Sequence, residues 1–221
     1  MRQLGKIQAT FSGRVVALAI ALLLLLSGCG KAKEDVTFPC LLADEQLSVT
    51  SLFQYSGENP DCGDEAGENV VSLAVTNQSG RHLTSAKITA KLADGTRLTF
   101  QLADIPAGQT VWVFDQDNGS FASSSACKEL KCEASFEAET PLLEDQVAVE
   151  TEGTSVTLTN LTDEDLAGLT VYCHCIFDGT YFGGSTYAYP VDGIPAGERV
   201  TIQAEECYLG EAAVVRVTRN S

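Results

Sequence analysis

Cys173-His174-Cys175, with Cys207 downstream, is the densest set of donor atoms in the chain. Thiolates and an imidazole suit zinc or copper(I). Along a strand, however, His174 points opposite to the two cysteines that flank it. At most three of the four groups then converge, so no metal and no other cofactor is assigned. A disulfide from Cys173 or Cys175 to Cys207, with one solitary thiol, is the plainer outcome. A redox-active thiol is the alternative. Tyr181, Tyr187 and Tyr189 share strand parity. A row of tyrosines on one sheet face offers flat apolar area with polar tips, suited to a glycan or peptide. Gly183-Gly184 between them marks an expected bulge, at which the parity breaks. Trp112, between Val111 and Val113, is expected to face outward, as a contact between two halves of the chain or a partner surface. Glu58 to Glu68 holds five acids, and Asp115-Gln116-Asp117-Asn118-Gly119 is a partial calcium loop without the terminal bidentate Glu. Gly-x-Ser-x-Gly, His-Glu-x-x-His and a phosphate-binding glycine loop are absent, so no catalytic residue is assigned.

These residues depend on a compartment and on a scaffold. The first 28 residues carry Arg2, Lys6 and Arg14 and no acid, followed by an uncharged apolar run from Val15 to Leu26. That is the pattern of a secretory signal, expected as a helix. Twelve residues at 1.5 Å each span about 18 Å, too short for a bilayer core of about 30 Å. The run ends in Leu26-Ser27-Gly28-Cys29. This resembles the lipobox of bacterial lipoproteins. The resemblance implies a diacylglyceryl group on Cys29, cleavage before it, and a protein held on the extracytoplasmic face of the cell membrane. Two or three acyl chains anchor stably where one does not. Residues 29–39 then serve as a tether.

Cysteine usage fits an exported chain. With Cys29 lipidated, Cys40, Cys62, Cys127, Cys132, Cys173, Cys175 and Cys207 remain, enough for three disulfides and one thiol. Cys127 with Cys132 and Cys40 with Cys62 are the expected first-half pairs, and a swap among these four stays open. The whole chain has 14 Lys+Arg against 30 Asp+Glu, a net charge of −16. Without the signal the balance is 11 − 30 = −19, which repels phosphate backbones and argues against nucleic acid as a partner.

The remainder is duplicated. Ile105-Pro106-Ala107-Gly108 echoes Ile194-Pro195-Ala196-Gly197 at an offset of 89. Leu73-Ala74-Val75-Thr76-Asn77 echoes Val156-Thr157-Leu158-Thr159-Asn160 at 83, and Leu92-Ala93-Asp94-Gly95 echoes Ile176-Phe177-Asp178-Gly179 at 84. The hydrophobic period is two, as in Ala86, Ile88, Ala90 and Leu92 alternating with Ser85, Lys87, Thr89 and Lys91. Strands are expected near 46–55, 69–77, 84–92, 96–103, 109–114 and 132–138, and again near 145–150, 153–160, 168–176, 180–190, 198–204 and 211–219. On the repeat as aligned at Asp-Gly, Tyr172, His174 and Ile176 face a core while Cys173 and Cys175 face outward.

An alternating strand ending in Asn, a hairpin, an apolar-x-Asp-Gly turn and then Pro-Ala-Gly-[Gln/Glu] resemble the FxLYD-type modules of bacterial surface lipoproteins. The resemblance implies an all-β fold with two tandem immunoglobulin-like sandwiches, here 40–141 and 142–221, and carries no catalytic residues. The expected function is a non-enzymatic binding, adhesion or structural envelope module with an unidentified protein or glycan partner. The rival readings are a thiol-redox or metal-responsive protein built on Cys173, Cys175 and Cys207, and a hydrolase with a carboxylate pair.

Overall fold

The computed structural model describes residues 35–61, 66–117, 119, 126–138 and 142–220. The signal segment, Cys29, Cys62 and Asn118 lie outside the described residues. The described chain is almost wholly strand, with one 3-10 turn at Glu205–Cys207.

The first half contributes β1 (Cys40–Leu42), β2 (Leu47–Gly57), β3 (Gly67–Asn77), β4 (His82–Leu92), β5 (Arg97–Ile105), β6 (Thr110–Phe114) and β7 (Cys127–Glu137). The second contributes β8 (Val147–Glu152), β9 (Ser155–Asn160), β10 (Leu166–Phe177), β11 (Thr180–Phe182), β12 (Tyr187–Ile194), β13 (Arg199–Gln203) and β14 (Glu211–Arg219). The alternation expected of β4 is present: Ala86, Ile88, Ala90 and Leu92 are buried, and Ser85, Lys87 and Lys91 are exposed.

Pairing is duplicated as the sequence is. In the first half β3 lies between β2 and β6, and β4 between β5 and β7; in the second β9 lies between β8 and β13, and β10 between β12 and β14. The repeated asparagines hold equivalent corners. Asn77 Nδ2 donates to the carbonyls of Arg81 and Ile105, and its Oδ1 accepts from the Ser79 backbone and hydroxyl. Asn160 Nδ2 donates to Glu164 and Ile194, and its Oδ1 accepts from the backbone and hydroxyl of Thr162. Both are buried, so each supplies a corner whose carbonyls would otherwise lack partners. A fourth repeated block, unread in the sequence, lies upstream: Leu42 to Val49 and Leu142 to Val149 share a turn. In it Gln46 N and Gln146 N donate to the carbonyls of Ala43 and Leu143.

Two large apolar clusters result, beside a small third one of Val70, Phe114 and Phe182. One is built from Leu47, Leu73, Val75, Ile88, Phe100, Val111 and their neighbours. The other centres on Val156, Leu158, Leu169, Val171, Val191 and Val217. The first cluster also draws Tyr181 and Val215 from the second half, with Tyr172, Ile176 and Ala213 packed on it. One eight-stranded sheet runs through both halves in the order β1-β2-β3-β6-β11-β10-β12, with β14 also on β10. The join is the parallel pairing of β11 with β6, Tyr181 opposite Val111 and Phe182 opposite Trp112. Three-stranded sheets β5-β4-β7 and β13-β9-β8 complete the architecture.

The faces of β10 are the reverse of the sequence expectation. Leu169, Val171, Cys173 and Cys175 face the second cluster, while Tyr172 and Ile176 pack on the first. The repeat keeps the offset of 83 from Asn77/Asn160 to the end of this strand, so Cys175 stands at the position of Leu92. The second hairpin is longer by a residue, and aligning its Asp-Gly with the first slides the strand by one. A one-residue slip flips every side chain.

Candidate functional site

The residues with chemical potential gather where the halves meet. β11 and the segment after it are an insertion in the hairpin between β10 and β12, with no counterpart between β4 and β5. Phe182, 1% exposed, stands at the centre of an aromatic cluster. It meets Tyr55, Phe114 and Phe177 with ring centroids 5.1–5.4 Å apart and Trp112 at 6.3 Å. Trp112 also meets Phe53 edge-on at 5.4 Å. Val111 and Val113 are buried in the first core and Trp112 is half-buried on the opposite side. The outward tryptophan thus meets Phe182 of the second half as well as Phe53 of its own.

After β11 the chain must thread past the first half with no room for side chains. A Cβ on Gly184 would fall 1.8 Å from the Gln101 carbonyl oxygen, and Gly183 has φ +89°. Gly183 N donates to the Trp112 carbonyl, and Ala103 N donates to the Gly184 carbonyl, both at 2.9 Å. The Asp61 carboxylate accepts from Gly184 N at 2.6 Å and from Ser185 N at 3.2 Å. The glycine pair is therefore a pin between β5 and β6 in which only bare backbone fits.

The tyrosines do not form one row. Tyr181, 9% exposed, lies on the first core with its ring 5.1 Å from that of His174. Tyr187 and Tyr189 pack on the second core. The Tyr187 hydroxyl donates to the Pro60 carbonyl at 2.7 Å, and the Tyr189 hydroxyl donates to the Glu206 carboxylate. At the offset of 89, Tyr187 and Tyr189 occupy the places of the buried Leu98 and Phe100. That correspondence was the sequence signal for a structural role.

A buried ionic contact completes the junction. Asp104, 2% exposed and at φ +51°, accepts from His82 Nε2 at 3.0 Å and from Arg216 Nη2 at 2.8 Å. His82 and Asp104 belong to the first half and Arg216 to β14. The Arg216 guanidinium also lies 4.3 Å from the centre of the Tyr172 ring, a cation–π geometry. Nothing in the sequence singled out Asp104 or Arg216, because their partner lies in the other half.

His174 is fully buried. Its Nδ1 lies 3.4 Å from the Cys175 carbonyl, and its Nε2 has no hydrogen-bond partner. Burial pushes its pKa down to about 4, so the ring is neutral at physiological pH. Cys175 is bonded to Cys207 with a Cα separation of 4.9 Å. Cys173 is the solitary thiol on that face, and burial foremost, with the Glu206 charge, pushes it up to about 12. The Cys-His-Cys triplet is thus split: its cysteines enter one core and its imidazole faces the other. Among the described residues no group of three or more His, Cys, Asp or Glu could hold a metal ion.

Cys127 and Cys132 do not form the expected loop-closing pair, and both are free thiols. They lie on one strand five residues apart, roughly 16 Å at strand rise, against about 4.4–6.8 Å between the Cα atoms of a disulfide. In the segment that partly matches a calcium loop, the Asp115 carboxylate accepts from backbone through both oxygens, Oδ1 from Thr99 N at 2.7 Å and Oδ2 from Gly119 N at 2.9 Å.

The open face is different in kind. A groove of about 710 Å³ runs over the outer side of β5-β4-β7 and is walled by residues 184–186. Ser85, Lys87, Gln101, Glu133 and Ser135 line its floor, with Asp61 and Asp115 at the wall. It is polar, carries no aromatic platform other than the edge of Phe114, and presents more carboxylates than cations. Compared with known proteins, the chain matches no family model and no curated protein.

Proposed function

We propose that this chain is a lipid-anchored protein of the extracytoplasmic membrane face that works as a non-enzymatic envelope module. In this reading two immunoglobulin-like sandwiches of FxLYD type, divided near residue 141, act as a rigid arm on the tether. The observation that carries it is the fate of the reactive residues. Trp112, Tyr181, Tyr187, Tyr189, His174, Cys175 and Cys207 are all consumed in contacts that fix one part of the arm against another. A scaffold whose conspicuous side chains are spent internally offers partners its sheet faces and loops instead. The polar groove over β5-β4-β7 is the concave surface left for a protein or glycan.

The thiol-redox alternative is disfavoured by burial. A thiol held near 12 supplies almost no thiolate at neutral pH. The test of the leading reading is the anchor. The native protein is expected to partition with membranes and into detergent, and Cys29→Ala to leave it in the aqueous phase. Unchanged retention of the Cys29→Ala protein would overturn the lipid anchor.

A further inference from the structure

We propose that Cys40 and Cys127, which stand as free thiols in this structure, are oxidised to a disulfide in the exported protein, tying the point where the tether enters the fold to the opposite sheet. Three observations place them together. Val36 N donates to the Cys127 carbonyl at 2.7 Å, four residues before Cys40. The next link is the ion pair of Asp35 with Lys128, the residue after Cys127. Val36, Phe38 and Cys40 then all pack on the apolar cluster that contains Cys127. The segment leaves β7 in one sheet and enters β1, where Cys40 pairs with Val49 of β2 in the other. It therefore links the two sheets, running from the backbone of Cys127 to Cys40 over the cluster that both cysteines share.

The other cysteines of the described chain stand elsewhere in the fold. Cys175 is bonded to Cys207, Cys173 lies on the second core, and Cys132 sits opposite Ile88 farther along β7. Burial raises both the Cys40 and Cys127 thiols, and the charge of Cys127 raises Cys40 further. Thiols held up in this way are poor nucleophiles once packed, which places the oxidation during folding. Two thiols give up two protons and two electrons to the disulfide of an oxidoreductase or of a small-molecule oxidant. One S–S bond forms, the oxidant's S–S bond breaks, and the oxidant leaves as two thiols. The loop closed would run from residue 40 to residue 127, a long constraint on the unfolded chain. Pull on the lipid anchor would then reach β7 through a covalent bond and bypass the three-residue β1.

This inference rests on the exported reading, and the experiment separates the two. Protein extracted from its own membranes is alkylated without reduction and cleaved after Asp and Glu, which places Cys40, Cys62, Cys127 and Cys132 in separate peptides. The expected result is a Cys40–Cys127 linked peptide, two hydrogens lighter than its parts, beside the Cys175–Cys207 linked peptide. Alkylated Cys40 and Cys127 beside an intact Cys175–Cys207 bond would overturn the pairing and leave export standing. A Cys40–Cys62 link would do the same. Alkylation of all the cysteines, Cys175 and Cys207 included, would overturn the exported reading and the pairing with it. A second readout follows melting under non-reducing conditions. Cys40→Ser and Cys127→Ser should lower the midpoint equally, and the double variant no further; additive losses would overturn the bond.

Discussion

The central strands β4 and β10 occupy the same place in the two halves, and they differ on one face only. Toward their own cores both are apolar: Ala86, Ile88, Ala90 and Leu92 in one, Leu169, Val171, Cys173 and Cys175 in the other. At the constant offset of 83, the outward residues Lys87, Thr89 and Lys91 correspond to Thr170, Tyr172 and His174. In the first set Lys87 lines the open groove, Lys91 is exposed and Thr89 is half-buried. In the second set Tyr172 packs on the first core and His174 is buried beside Tyr181. Duplication supplied two halves in which β3 and β4, and β9 and β10, keep equivalent neighbours. A handful of outward side chains, with an inserted β11, decides which copy is covered and which stays open. Burial of that outer face is non-directional; the pin of Gly183 and Gly184 and the Asp104–Arg216 contact give it a register.

The largest effect is expected at the insertion. Phe182→Ala removes the ring on which Tyr55, Phe114 and Phe177 converge, and should cost about 4 kcal/mol in urea unfolding. Because the ring belongs to one half and most of its partners to the other, the loss should appear in both. Phe182→Ala with an unchanged unfolding midpoint would break the view that β11 joins the halves.

Acid should find the covered face before the open one. His174 is neutral when folded, with its pKa depressed to about 4 from an ordinary value near 6.5. Its contribution is complete above pH 6.5, where folded and unfolded states both hold it neutral. Below that the unfolded chain takes a proton that the folded chain refuses. Stability is therefore lost as pH falls from about 6.5 to about 4, at about 1.4 kcal/mol per unit and about 3 kcal/mol in all. His174→Phe, which keeps an aromatic ring against Tyr181, should flatten this limb relative to wild type. A parallel pair of pH–stability curves would count against the buried neutral imidazole.

Where the halves are alike, substitutions should cost alike. Asn77→Ala and Asn160→Ala each orphan one buried carbonyl, of Ile105 or Ile194, and loosen a turn, so each should lose about 2 kcal/mol. A difference between them of more than about 1 kcal/mol, measured by denaturant midpoint at constant slope, would show that the corners are not equivalent.

Much of this contrast could be read from the sequence, and the rest could not, for reasons that differ residue by residue. Alternation placed β4 and its faces, the outward Trp112 between two core valines, and nearly every strand. The 180–190 region reads as one strand by composition, yet Gly183 and Gly184 cut it into β11 and β12, and parity is lost there. The phase of β10 failed by one residue because the Asp-Gly turns look homologous while the hairpins differ in length. Asp104 and Arg216 carry no local signal, since a buried ion pair is defined by a partner more than a hundred residues away. Cys127 and Cys132 look like a loop closure only until the intervening residues prove to be strand.

The smallest effect is expected on the open face, and it is the sharper half of the contrast. Lys87 stands on the groove floor, exposed, with its stem on a polar sheet surface. Lys87→Ala removes a solvated charge and no packed apolar area, so it should move stability by no more than about 0.5 kcal/mol. Tyr172→Ala, two residues along the aligned strand of the other half, removes a ring held between Arg216 and the first core and should cost several times more. If both substitutions proved neutral, the outer face of β10 would be no more committed than that of β4. The asymmetry between the copies would then reside in β11 alone.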